Sequence, residues 1–283
     1  MPMHAPNFFL AVLAAVFAAV GGLWAESGRP LHAQEPPPPW QSTEQRDHPL
    51  AGRIWRARDG AFVTPAELAR ALDAAQFILL GETHDNPDHH RIQAWAVAQV
   101  VAAGKTPGIA FEMMRADQQA AIDAYRQTHP GDSAGLGAAL GWAESGWPDW
   151  SHYAAVLAPL ARTGVPLIAA NLAARQPRAL ARDGFDALGA ARVRTLGLDR
   201  PLDEATLAAI DRDIVGSHCG MIPEDRARPI SRVQVARDAT LADGLLAARG
   251  KDGSAILIAG SGHVRRDRGV PLHLARRGFK DRV

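Results

Sequence analysis

The sequence predicts an α/β fold, a three-layer sandwich around a mainly parallel sheet with a small helical lobe beside it. Three observations predict it. Four short apolar runs are continuous rather than alternating, the pattern of strands buried on both faces. Helical patterns lie between them, so successive strands are joined by right-handed crossovers instead of hairpins. Between Asn171 and Lys251, helical stretches follow one another with no strand between them, which is more helix than one crossover needs.

In chain order, Phe8 to Val20 (FFLAVLAAVFAAV) is an uncharged apolar run of 13 residues. That is the length of a signal-peptide core, whereas a spanning helix takes about 20. Ala33 closes an acceptable small-residue cleavage site, so residues 1–33 are expected to be an export signal or N-terminal anchor, although no Lys or Arg precedes the run. Pro36 to Pro39 favour stiff polyproline geometry, and 34–52 reads as a linker ahead of one domain over 53–283. Thr64-Pro65-Ala66-Glu67 forms a capping box that opens a helix toward Leu72. Gln76 to Gly81 is the first buried strand. His89 to Ala103 is a helix by the spacing of Ile92, Trp95, Ala96 and Val100, stopped by Gly104 and Pro107. The remaining strands are Gly108 to Phe111, Pro166 to Ala170 and Ser254 to Ala259; the remaining helices are Arg115 to Gln127, Ser151 to Arg162, Asp203 to Val215 and Ile230 to Arg249. Phe279 to Val283 leaves little for a further edge strand.

Composition excludes several classes. With 47% hydrophobic residues the chain is not largely disordered. Lys and Arg number 31 against 30 Asp and Glu, so there is no broad basic face for nucleic acid. One cysteine, Cys219, excludes an intramolecular disulfide and a cysteine zinc site.

Each strand ends on a polar residue: Glu82 with His84, Glu112, Asn171, and His263 after Gly260-Ser261-Gly262. Ligands of open α/β sheets bind beyond the carboxyl ends of the strands. Residues two apart in extended chain point the same way, so Glu82 and His84 can face one centre. Glu82, His84, Glu112 and His263 are therefore candidates to hold a divalent metal or to serve as catalytic acids and bases; without a metal, adjacent carboxylates would push their pKa values apart. The plainer alternative is helix capping and backbone satisfaction. His89 and His90, in a first helical turn, read as solvated surface. Ser261 lacks the nucleophile-elbow frame, and Cys219 follows a helix C-terminus, where a thiolate gains nothing. Trp142, Trp147, Trp150 and Tyr153 form an aromatic cluster that is either core or the wall of a flat apolar cofactor. Arg265, Arg266 and Arg268 read as anion partners or a solvated loop.

Ile78–Asn86 (ILLGETHDN), Ala110–Met113 (AFEM), Trp150–Tyr153 (WSHY), Ile168–Asn171 (IAAN), His218–Met221 (HCGM), Gln234–Ala239 (QVARDA) and Ala259–Val264 (AGSGHV) follow one another in an order that resembles the ChaN-like haem-binding uptake family, within the TIKI and erythromycin-esterase superfamily. The resemblance implies an α/β sandwich with a helical lobe, and exported, often lipid-anchored proteins of haem or iron uptake. It implies a tyrosine ligating haem at a homodimer contact, a role that falls on Tyr153, with Arg265 placed to meet a propionate. Superfamily hydrolases use paired Gly-x-x-His motifs and glutamates, matched by Glu82, His84, Glu112 and His263. A lipid anchor needs a cysteine directly after the signal, and Cys219 is far from it. The expectation is an exported haem-binding protein, periplasmic or held to the membrane only by an uncleaved N-terminal segment, with a metal- or carboxylate-dependent hydrolase as the alternative.

Overall fold

The computed structural model describes residues 36–280 and 282. They fall in one compact unit, and the expected signal segment 1–33 lies outside them. Among the described residues, no helix is long and apolar enough to cross a membrane.

A hairpin the sequence did not announce opens the unit. Strands β1 (Ile54–Arg56) and β2 (Ala61–Val63) pair antiparallel, too short to show an alternation. Trp55 packs edge-on against Phe62, and the Arg53 guanidinium lies 3.7 Å from the Phe62 ring centre. Helix α1 (Pro65–Ala74) carries the expected capping box: Glu67 N donates to Thr64 Oγ1 while Thr64 N donates to Glu67 Oε2.

Four strands form the main sheet: β3 (Phe77–Glu82), β4 (Gly108–Arg115), β5 (Leu167–Asn171) and β6 (Ala255–Gly260). All pairs are parallel, in the order β3-β6-β4-β5, so the last strand in sequence is central. β4 runs on to Arg115 rather than stopping at Phe111, and its register with β5 shifts between those residues. The pleat divides the core: Ile256 and Ile258 of β6 pack with Trp95 and Val97, whereas Leu257 packs with Leu241 and Leu245 on the opposite face. Each such side chain contributes about 1.5–3 kcal/mol by leaving water.

The first face is covered by α1, α2 (Pro87–Ala102), α3 (Gln119–Thr128), α4 (Leu136–Ala139) and α5 (Trp150–Leu157). α5 ends before Arg162 because Pro159 falls in a 3-10 turn over Ala158–Leu160. The lobe comprises α6 (Gln176–Asp183), α7 (Ala190–Leu196) and α8 (Glu204–Ser217), sharing a third core with α9 (Glu224–Ala247). α9 starts ahead of the expected Ile230 and encloses Pro229. It also covers the second sheet face with α10 (Val270–Ala275). The approach of α9 to the sheet is so close that a Cβ on Gly108 would lie 1.7 Å from the Ala248 carbonyl oxygen.

Residues 36–52 are tied to the start of α2. Gln41 N and Ser42 N donate to the two carboxylate oxygens of buried Asp88 at 2.7 and 2.8 Å, and Arg91 donates to the Pro39 carbonyl. At the other end of the described chain, Phe77 N donates to Arg282 O beside the outer edge of β3, where Phe279 packs on Phe77.

Candidate functional site at the strand ends

Glu82 and Glu112 terminate on the same edge of the sheet, both buried, and each carries its own partners. Glu82 Oε1 accepts from His84 Nδ1 at 2.8 Å and from the Tyr153 hydroxyl at 3.0 Å; Oε2 accepts from Gln93 Nε2 at 2.8 Å and lies 3.4 Å from His90 Nδ1. These donors come from the β3 end, α5 and α2. Burial by itself would raise the Glu82 pKa, but the donors from His84, His90 and Gln93 override it and hold the carboxyl down at about 2. His90 Nε2 donates to the His84 carbonyl at 2.8 Å. Burial disfavours its charge, yet Glu82 raises its pKa on balance.

Around Glu112 the arrangement is linear. His263 Nε2 lies 3.1 Å from Glu112 Oε1, and its Nδ1 lies 2.5 Å from Asp238 Oδ1. Glu112 Oε2 accepts from Gly260 N at 2.7 Å. A wholly buried imidazole between two carboxylates is best held charged. Burial opposes this, but the fields of Asp238 and Glu112 push His263 up to about 10, and the His263 charge with the Gly260 N–H draws Glu112 down to about 2 against its own burial. Burial pushes Asp238 upward. Asn171 braces the group, donating to the Glu112 carbonyl at 2.8 Å and accepting from Arg237 at 2.8 Å.

The two groups meet at Gly260. A Cβ there would lie 3.0 Å from His84 Nε2 and 3.5 Å from Glu112 Oε2, so the missing side chain lets the His84 ring lie over the strand end. His84 is the half-open member of the set, with its side chain 33% exposed against 9% for His263. Ionised Glu82 only accepts, so Nδ1 of His84 carries a proton and Nε2 is the ring nitrogen left without a carboxylate partner. Trp147 stands edge-on to the ring at 4.8 Å. The geometry can therefore offer a nitrogen base or ligand oriented by a carboxylate.

A sequence profile described as "Haem-binding uptake, Tiki superfamily, ChaN" matches residues 68–274. The chain belongs to this family. No curated protein matches it. Among solved structures it is similar to ChaN of Campylobacter jejuni, titled for cofacial heme binding. The likeness has 20% identity and a TM-score of 0.62, covering 80% of this chain and 86% of that one, and shows the same fold. The type III effector HopBA1 aligns at 15% identity and a TM-score of 0.36, over 69% of this chain and 71% of that one.

The structure brings Glu82, His84, Glu112 and His263 together at one edge of the sheet. Glu82 pairs with His84 and Glu112 with His263, and among the described residues no group of three or more His, Cys, Asp or Glu is placed to hold a metal ion. Tyr153 departs from the exposed phenolate expected of a haem ligand. It is 0% exposed, its hydroxyl is donated to Glu82, and burial together with that carboxylate raises its pKa. Arg265 stays at the surface but is paired with Asp267 at 3.2 Å, and Arg268 is paired with Asp213. His90, expected on the surface, is 1% exposed. His89 is half-buried, with Nδ1 accepting from Thr83 N. Sequence reasoning missed Gln93 and Asp238 as partners. Asp238 lay within the QVARDA stretch, but nothing in the sequence showed that its side of the helix faces His263.

Proposed function

We propose that this chain binds haem as a ligand in iron or haem handling. The observation that carries the reading is membership of the haem-binding uptake family over residues 68–274. Within that reading, His84 is the residue whose chemistry fits an iron ligand: half-exposed, tautomer set by Glu82, and bordered by Gly260 and the Trp147 ring. The Tyr153 hydroxyl, Gln93 Nε2 and His90 Nδ1 hold Glu82 in place. Tyr153 reaches an iron only by releasing Glu82.

Titrating hemin into the purified full chain tests the reading: a saturable, shifted Soret band is expected, and a spectrum that remains that of free hemin overturns it. Export belongs to the same proposal, supported by the Phe8–Val20 run and Ala33. Fractionation of cells expressing the full chain and a chain lacking residues 1–33 should place only the former outside the cytoplasm. Homodimerisation on hemin loading is the third part, read by sedimentation with and without hemin.

The alternative reading, a carboxylate-dependent hydrolase, is favoured by one observation: the Glu82–His84 pair has the form of an oriented general base. It requires turnover of an ester or peptide that disappears in Glu82→Gln and persists in Tyr153→Phe.

A further inference from the structure

A cleft of about 380 Å³ opens in the helical lobe, away from the strand ends, between the turn at Asp183–Asp186, the 197–202 loop, α9 and α10. That volume lies at the lower end of small-molecule sites, about 300–1,000 Å³. Phe185, Leu198, Leu202 and Val235 give it apolar walls. Its charges are unbalanced. Arg228 is neutralised by Glu204 and Asp211, and Asp183 by Arg182. Arg200, Arg232 and Arg276 have no carboxylate within ion-pair distance among the described residues, and Asp186 is the one remaining acid in the lining. Arg200 and Arg276 each donate to the other's backbone carbonyl, which keeps two like charges side by side. Arg276 has its pKa lowered by burial and by Arg200, against a smaller opposite pull from Asp199, which lies beyond ion-pair distance.

A second observation lies on the same wall. His273 of α10 is 97% buried and lines the cleft, and its Nε2 has no hydrogen-bond partner. A buried polar atom without a partner is costly, about 1–3 kcal/mol, unless something fills the place. Burial with Arg277 and Arg276 nearby keeps the ring neutral, lowering its pKa to about 4, so the inner wall adds no charge to the arginines.

We infer that this cleft is a binding site for a small carboxylate with an apolar body, its head held by Arg200, Arg232 and Arg276 and its body against Phe185 and Leu202, with His273 closing the inner end. The site is independent of the haem reading. Its size suits a medium-chain acid, and guanidinium pairs favour carboxylate geometry.

The test is calorimetric titration of octanoate, and separately of inorganic phosphate, into the full chain and its Arg232→Gln and Arg200→Gln variants. The His273 ring is followed by ¹H–¹⁵N NMR. Arg232 is exposed and makes no hydrogen bond or ion pair among the described residues, so its replacement leaves the fold intact. Expected are one octanoate per chain, at least tenfold weaker binding in each variant, and a shifted His273 signal. Absence of octanoate binding, binding indifferent to both substitutions, or a site that takes phosphate and ignores octanoate would each overturn the proposal.

Discussion

Glu82 closes β3 and Glu112 lies in β4 just past its last pair with β6; both are held near pKa 2, yet they are built differently. Glu112 sits in a closed line of Asp238, His263 and Glu112 in which every ring nitrogen faces a carboxylate. Glu82 is gripped by donors from three elements and leaves one ring, His84, facing partly outward. The same residue types thus give a structural clamp in one place and a presented nitrogen in the other. What separates them is how many faces of the imidazole are occupied, rather than the motif.

The largest expected effect breaks the closed line. Asp238→Ala leaves the buried His263 with half its compensation, and the loss should be about 3–5 kcal/mol in denaturant unfolding. Asp238→Asn, which can still accept from Nδ1, should cost less. A loss under about 1 kcal/mol would show that the line is not a clamp.

Acid should act on both groups. A depressed carboxylate contributes stability that is complete above its ordinary pKa of 4.5 and fades as pH falls toward 2, roughly 3 kcal/mol for a group shifted this far. His263 works the other way: its contribution is complete below 6.5 and fades as pH rises toward 10. Unfolding free energy should therefore be greatest between about pH 4.5 and 6.5. Glu112→Gln should flatten both limbs, because it removes one acid and half the field that charges His263. Glu82→Gln should flatten the acid limb and remove the His90 part of the alkaline limb, which Glu82 sustains, while leaving the His263 part that fades toward pH 10; loss of that last part would merge the two groups into one.

Tyr153→Phe keeps the ring against Trp142 and His90 and removes one hydrogen bond to Glu82. A loss of about 1–2 kcal/mol is expected. Smallest of all is His84→Ala: with a half-exposed ring and one hydrogen bond, it should change stability by about 1 kcal/mol or less.

The sheet was legible because its strands are unbroken apolar runs that stop on polar residues, and that pattern alone gathers Glu82, His84, Glu112 and His263 at one edge. The partners were not legible. His90 and Gln93 sit in the first turns of α2, where polar residues look solvated until a carboxylate is placed beneath them. Tyr153 lies in a helix whose aromatic spacing is the same whether it faces core or ligand. Asp238 needed the docking of α9, a contact set by the sheet rather than by neighbours in sequence. The β1–β2 hairpin escaped because three residues cannot display a period.

The central claim is that the open imidazole, and not the buried phenol, meets the ligand. Hemin titrations of the unaltered chain, His84→Ala and Tyr153→Phe, followed through the Soret and charge-transfer bands, test it directly. The account predicts that His84→Ala loses the protein-bound Soret band or shifts it to that of a differently ligated iron, while Tyr153→Phe retains the spectrum of the unaltered chain. A spectrum unchanged in His84→Ala and lost in Tyr153→Phe would contradict it.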